Sequence, residues 1–405
     1  MTATAAADDT AGLPAYPGKR TGRCPFDPPT AYTGWRQGEG LQRVRTSHGK
    51  AAWVATRFDD AKVVLSDARF SADVRRFPQL TVSVQSAQGP QPFPRTDDPE
   101  HARIRRQFTG EFTVKRMEAL RPAVRELIDG ILDEMIGREE RPVDLIQHFA
   151  LPVPSLVISL LLGVPYEDHA FFQEHSAVLT RSFATREEKT AASGALNDYM
   201  LKLAHRKQRE PGDDLVSRVL GVGELSPEEV AVNGKVLLLA GHETTANMIG
   251  LSVTALLENP EQAARIRNSD DPRLTAGAID ELLRYLSIPQ DLIHRVATED
   301  LTLGGQHVSA GDLVTVSLPA ANRDDRFADA DVLDLDRRLP PGGHLAFGHG
   351  IHQCLGQSLA RVELQEALTL LLRRLPGLLL AVPMAEVKFR HEMAAFGVHE
   401  LPVTW

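Results

Sequence analysis

The residues best equipped for chemistry lie in Phe347-Gly348-His349-Gly350-Ile351-His352-Gln353-Cys354-Leu355-Gly356. A single cysteine sits in a glycine-hinged loop that runs into an apolar-periodic stretch, Leu355 to Leu371, predicted to be a helix. A helix start presents the positive end of the helix dipole. That favours the thiolate of Cys354, which is a nucleophile and a metal ligand. Gly348 and Gly350 let the backbone curl without side-chain clash. Backbone N–H groups can then turn toward the sulfur and moderate its charge. Gly356 leaves room for the helix to approach something flat and large. A buried structural cysteine is the plainer reading.

A second constellation is Ala240-Gly241-His242-Glu243-Thr244-Thr245, inside a long apolar run. A carboxylate there is costly unless satisfied. Small residues at 240 and 241 leave space on one side. A threonine hydroxyl can bond back to an earlier carbonyl and loosen the helix. A tight helix crossing around one partly solvated glutamate is the alternative.

The cysteine loop resembles the haem-ligand loop of the cytochromes P450, Phe-Gly-x-Gly-x-His-x-Cys-x-Gly, with all six fixed positions present. The second constellation is similar to that family's oxygen-binding kink, Ala-Gly-x-Glu/Asp-Thr. The resemblance implies a mainly α fold with a small β portion, a long central helix and a haem buried between helices. It implies Cys354 as iron ligand, Phe347, Gly348, Gly356 and Ala240 around the haem, and Glu243 with Thr244 as an acid–alcohol proton relay. It assigns His101, Arg105, Arg295 and His352 to the haem propionates, where arginine offers charge-assisted bonds. No Cys-x-x-Cys-His is present, so the cofactor is expected to be haem b, iron protoporphyrin IX, held without thioethers. Each cation taken singly reads more readily as a solvated surface charge; the four together, at the family's spacing, favour the propionate role.

These residues need elements to hold them. Ser226-Pro227-Glu228-Glu229 is a capping-box-like start. The helix after it is predicted to run to Leu257 and to be buried. Gln42–Arg45 and Ala52–Ala55 read as strands around His48-Gly49-Lys50. Asp59–Leu65 reads as a short helix. Helical periods follow from Asp98, over 114–137, 144–162, 168–182 and from Leu196 to Arg209, with 183–194 as a polar connection. Residues 71–96 read as a long loop of the kind that forms lids. After Pro289 short strands are expected. Residues 1–20 read as a loose segment and 21–405 as one haem-binding domain.

Glu281-Leu282-Leu283-Arg284 matches the family's structural Glu-x-x-Arg. The family's third partner, an arginine in a later Pro-x-Arg-Phe run, is expected to be missing, because Ala330-Asp331-Val332-Leu333 stands in its place. Arg103, Arg106, Arg116 and Arg361 are expected to form a basic face for an acidic redox partner; scattered solvated arginines are the alternative.

The 405 residues are 42% hydrophobic, with a net charge of −9 that argues against nucleic-acid binding. Only Cys24 and Cys354 are present, which fits a reducing cytosol. Met1 to Pro14 has no basic start or apolar core, so no secretory signal is read there. No run approaches the length of a membrane helix. The expectation is a cytoplasmic monomer without a membrane anchor.

The implied reaction is monooxygenation, hydroxylation or epoxidation, with O2 and with electrons from ferredoxin and ferredoxin reductase. The substrate is expected to be a hydrophobic small molecule, a macrolide or polyketide, terpenoid or steroid-like metabolite or a xenobiotic. Its expected contacts are Phe77, Val82, Val84, Leu179, Phe183, Leu239, Leu292, Ile293 and Phe396. Rival readings are a haem-thiolate nitric oxide reductase, a peroxygenase, and a non-catalytic haem sensor. Relatives of the first two kinds lack or replace the acid–alcohol pair, and a sensor has no use for a proton relay, so Glu243 and Thr244 count against all three.

Overall fold

The computed structural model of the chain describes residues 10–20, 24–76, 89–180 and 184–405, Glu392 excepted. Helices in chain order are α1 (Thr30–Gln37), α2 (Phe58–Ser66), α3 (Glu100–Thr109), α4 (Val114–Ile136), α5 (Pro152–Leu162), α6 (His169–Thr180) and α7 (Arg186–Arg209). They continue with α8 (Leu215–Val222), α9 (Pro227–Leu257), α10 (Pro260–Asn268), α11 (Pro272–Leu286), α12 (Leu318–Ala321) and α13 (Gln357–Arg374).

Helix α9 organises the rest. Its start is fixed by a reciprocal cap: Glu229 N–H donates to Ser226 Oγ at 3.2 Å and Ser226 N–H to Glu229 Oε2 at 2.9 Å. Such a cap satisfies two donors that would otherwise have no partner. The helix is apolar almost all round, so neighbours cover it on every side: α5, α7, α8, α10, α11 and α13 all pack on it. A Cβ at Gly250 would stand 2.5 Å from Ile146 Cδ1, so the Ile146 side chain packs directly onto the α9 backbone there. Helical geometry runs unbroken through 240–245.

The β portion is small. Strands β1 (Ala15–Tyr16), β2 (Leu41–Thr46), β3 (Ala51–Ala55) and β4 (Phe70–Ser71) join β6 (His294–Ala297) and β9 (Leu313–Val316) in one sheet, ordered β1-β2-β3-β9-β6-β4. Strand β5 (Val143–Asp144) pairs with β11 (Pro402–Thr404), which also pairs with β10 (Leu379–Leu380). Strands β7 (Leu301–Leu303) and β8 (Gln306–Val308) form a hairpin. One apolar core lies among the helices, and two smaller clusters lie against the larger sheet.

Three expectations differ from the structure. The polar connection expected over 183–194 is a helix over most of its described residues: α7 starts at Arg186, capped by Thr185 Oγ1 accepting from Glu188 N–H at 3.1 Å, and residue 183 lies outside the described residues. The polar composition of that stretch reflects a solvent-facing first half of a helix. Residues 15–20 are not loose. Ala15 and Tyr16 pair in parallel with β2, and Tyr16 Oη donates to Gln290 O at 2.7 Å. Arg20 is buried, donating to the carbonyls of Phe26, Leu286 and Ser287, with its guanidinium 3.9 Å from the Phe396 ring centre.

The third correction concerns Glu281. The arginine expected to be absent is present as Arg337. Its Nε donates to Glu281 Oε1 at 3.0 Å, beside the bidentate pair from Arg284 at 2.7 and 2.8 Å. The turn-rich chain before it brings Arg337 to Glu281, so the register that placed Ala330–Leu333 opposite the pair was wrong. Arg284 also donates to the carbonyls of Asn322 and Ala330. A fully buried carboxylate is thus answered by two guanidinium groups. The network ties α11 to the segment leading into the cysteine loop.

Candidate active site

The cysteine loop is shaped by two left-handed glycines, Gly348 at φ 71° and Gly350 at φ 72°. A Cβ at Gly350 would lie 2.5 Å from Leu65 O, so the loop presses directly on the end of α2. Cys354 N–H donates to Phe347 O at 2.9 Å, closing the turn. Helix α13 starts just after it, with Gly356 as N-cap.

Backbone N–H groups of Gly356 and Gln357 bond the Cys354 sulfur, and Arg105 and Arg361 lie near enough to lower its pKa. Burial outweighs them all and pushes the free thiol up. The expectation of a thiolate set by the helix dipole alone is therefore corrected. Desolvation disfavours the charged form, so a metal cation is what would hold this sulfur deprotonated. Although enclosed by protein, the Cys354 side chain retains accessible surface. It therefore opens on an internal space.

Ala240 shows the same signature from the other side. It is exposed although it lies near the middle of a long, largely buried helix. Thr244 Oγ1 donates to Ala240 O at 2.6 Å, the back-bond that the sequence suggested. Glu243 is satisfied by a residue the sequence did not point to: Arg390 Nη1 donates to its Oε1 at 2.7 Å, with Asn247 Nδ2 at 3.4 Å. The neighbouring His242 is buried, and its Nε2 has no hydrogen-bond partner; burial holds its pKa below the usual value.

At one edge four donors from three elements converge. His101 and His352 have ring centres 4.2 Å apart. His101 Nε2 and His352 Nδ1 are buried without partners. Arg105 donates to Gln353 O at 2.6 Å and Arg295 to His294 O at 2.9 Å, and among the described residues neither is paired with an acid. Burial, then Arg295, His101 and Arg105, push His352 down to about 3, and burial brings Arg295 to about 10. The cluster is short of negative charge. It fits a ligand edge bearing two carboxylates, such as the haem propionates. Open space beside Gly348 and Gly356, where an added Cβ would meet nothing within 4 Å, suits a flat ring above the loop.

The expected substrate contacts divide. Leu179 and Leu239 are half-buried against the helical core. Ile293 packs on the sheet cluster. Leu292 is 48% exposed and borders a cavity of about 100 Å³ with Arg95 and Arg295. Phe396 has no accessible surface; it is stacked on Phe389 with Arg20 on it, so it backs a wall and lines nothing. Phe77, Val82, Val84 and Phe183 lie outside the described residues.

The basic face is weaker than its sequence suggests. Arg103 pairs with Glu229, Arg116 with Glu111 at 3.4 Å, and Arg361 with Asp280 at 2.8 Å. Arg106 is exposed. Acids that linear spacing does not reveal thus pair with three of the four arginines. Among the described residues no helix is long and apolar enough to cross a membrane.

Known proteins agree with this geometry. The pattern of the Cytochrome P450 family matches residues 47–378. Cytochrome P450-SU2 of Streptomyces griseolus is 50% identical over 394 residues, 96% of each chain. The vitamin D3 dihydroxylase of the same organism is 44% identical over 414 residues, covering 100% of both. The crystal structure of the mycinamicin VIII C21 methyl hydroxylase MycCI from Micromonospora griseorubida, bound to mycinamicin VIII, superposes with a TM-score of 0.89 at 38% identity, over 97% of this chain and 100% of that one. A cysteine supplied with backbone N–H groups, with an acid-free set of cations beside its loop, is therefore what it resembled in the sequence: this chain belongs to the cytochromes P450, haem-thiolate monooxygenases.

Proposed function

We propose that this chain hydroxylates or epoxidises a largely apolar small molecule of specialised metabolism, of macrolide, terpenoid or steroid-like type, or a xenobiotic. The cofactor is haem b, with Cys354 as the iron ligand and His101, Arg105, Arg295 and His352 on the propionates. When bound, the haem supplies oxygen activation, for which a thiolate ligand is suited. The observation carrying the reading is the acid-free cluster of His101, Arg105, Arg295 and His352 beside the cysteine loop, where His101 Nε2 and His352 Nδ1 are buried without partners among the described residues.

The chain's own residues supply orientation and protons. Thr244 holds a hydroxyl at the pocket edge, anchored to Ala240 O. Glu243, next in sequence, holds a carboxylate against Arg390 and supplies the acid of the relay. Leu239 and Leu179, half-buried against the helical core, offer apolar surface for such a molecule. The vitamin D3 and mycinamicin VIII enzymes act on large apolar bodies, in keeping with that surface. Electrons come from a ferredoxin and its reductase in the cytoplasm, to a monomer.

The test is turnover. Purified protein with ferredoxin, reductase, nicotinamide and O2 is expected to oxidise members of a hydrophobic natural-product panel. Nicotinamide consumption seen only with nitric oxide would overturn the reading in favour of a reductase. Cys354→Ser is expected to abolish the red-shifted Soret band of the ferrous carbon monoxide complex; an unchanged band refutes the ligand assignment.

A further inference from the structure

Among the described residues a second pair of cations, Arg95 and Lys235, has no acid paired with it. Arg95 closes the 3-10 turn Phe93–Arg95. That turn is pinned to α9 by Phe93 N–H, which donates to Asn233 Oδ1 at 2.9 Å. Two residues further along α9 stands Lys235, one turn before Leu239. The pin therefore sets Arg95 and Lys235 beside each other at one edge of the helix.

Arg95 combines accessible surface with a guanidinium pKa lowered by burial. Cys354 shows the same pairing of accessible surface with desolvation, the mark of a group that opens on an interior space. Arg95 lines the cavity of about 100 Å³ together with Leu292 and Arg295. Among the described residues its side chain has no hydrogen-bond or ion-pair partner. The acid on that cavity, Asp73, is already held by Arg75 through contacts of 2.9 and 2.6 Å. Lys235 Nζ has a neutral partner, Ser193 Oγ at 3.2 Å. Burial, and next the charge of Arg95, bring the Lys235 ammonium down to about 8.

The charges do not balance without a ligand. A bound haem would bring two propionates, for which Arg105 and Arg295 would be the partners in the reading above. Arg95 and Lys235 are surplus, on a chain whose net charge is −9. Desolvated cations are unfavourable unless an anion meets them.

We infer that the substrate carries an oxyanion, a carboxylate on a largely apolar body, received between Arg95 and Lys235. The apolar body then extends along Leu239 toward Ala240. This rests on the monooxygenase reading above and narrows it to hydrophobic acids.

The probes are matched pairs: myristic acid with methyl myristate, and dehydroabietic acid with its methyl ester. Binding is read by the ferric spin-state shift of the haem-loaded protein. Each acid is expected to bind about tenfold tighter than its ester, the size of one charge-assisted hydrogen bond. Arg95→Gln and Lys235→Met are each expected to weaken the acids several-fold and leave the esters unchanged. The double variant is expected to bind acid and ester alike. Equal binding of acid and ester by the unaltered protein, no spin shift with either acid, or a preference that survives the double variant, overturns the inference. The carbon monoxide spectrum separates the two levels. If the red-shifted band is present and acids are not preferred, the substrate assignment fails and the monooxygenase reading stands. If the band is absent from the unaltered protein, both fail.

Discussion

Replacing Arg390 by methionine strands Glu243. The pair is 2.7 Å long, and its side chains keep 14% and 15% of their surface. Removing one partner of a buried ion pair costs ~3–5 kcal/mol, because the other charge is left alone. Asn247 Nδ2 remains 3.4 Å from the same oxygen, and the residual exposure admits some water, which places the loss at about 2–3 kcal/mol. Glu243→Gln removes the opposite charge. The double variant is then expected to cost about 1.5–2 kcal/mol less than the sum of the singles. Urea unfolding of the four proteins at one fixed haem concentration measures this, since bound ligand raises apparent stability by mass action. Gly397 gives an independent arm. A Cβ there would stand 1.9 Å from Asn247 Oδ1, so Gly397→Ala displaces Asn247 and is expected to destabilise as well. If the single changes sum to the double within about 0.5 kcal/mol, the two residues are uncoupled and the reasoning is wrong.

Thr244→Ala is expected to keep haem but release reducing equivalents as peroxide; a product yield per nicotinamide equal to the unaltered protein would argue against the relay. Arg284→Leu leaves Glu281 charged where both side chains are fully buried, a loss of ~3–5 kcal/mol, and haem-loaded protein is expected to fall well below the normal yield. A normal yield would show that Arg337 alone holds Glu281. Glu363, 2% exposed with Oε2 unpaired, has its carboxyl pushed up to about 8 by burial. The native state keeps a proton that the unfolded chain gives up, so this stability is whole below about 4.5 and lost as pH rises to about 8. Glu363→Gln is expected to shrink the fall in unfolding free energy between those values, by an amount on the order of a few kcal/mol; an unchanged fall means the carboxyl is ionised in the fold.

The parts of this architecture readable from sequence are those with local causes. The limits of α9 follow from a cap at Ser226 and an apolar run to Leu257, and both signals are contiguous. The loop around Cys354 is a short string of glycines whose positive φ values explain their presence. What sequence did not give has distant causes. Arg390 reaches Glu243 across 147 positions, and nothing in the spacing marks it. Arg337 reaches Glu281 from 56 positions away through turns without period, so the register was assigned to the wrong residues. The cysteine's acidity was read from the helix dipole, a local effect, whereas burial by the whole fold decides it. The start of α7 was legible and overlooked: Thr185 and Glu188 have capping-box spacing, and the polar surface residues after them hid the helix.

The buried contacts of Arg20 have a consequence for how variation in this chain is interpreted. One guanidinium near the amino end grips three backbone carbonyls around α11 and leans on Phe396, which backs the pocket from the carboxyl end. Changes at Tyr16 or Arg20, far from any ligand in sequence, therefore reshape the chamber from behind. In a library selected for altered product profiles, hits at these two positions are to be understood as changes of cavity form rather than as gains in expression.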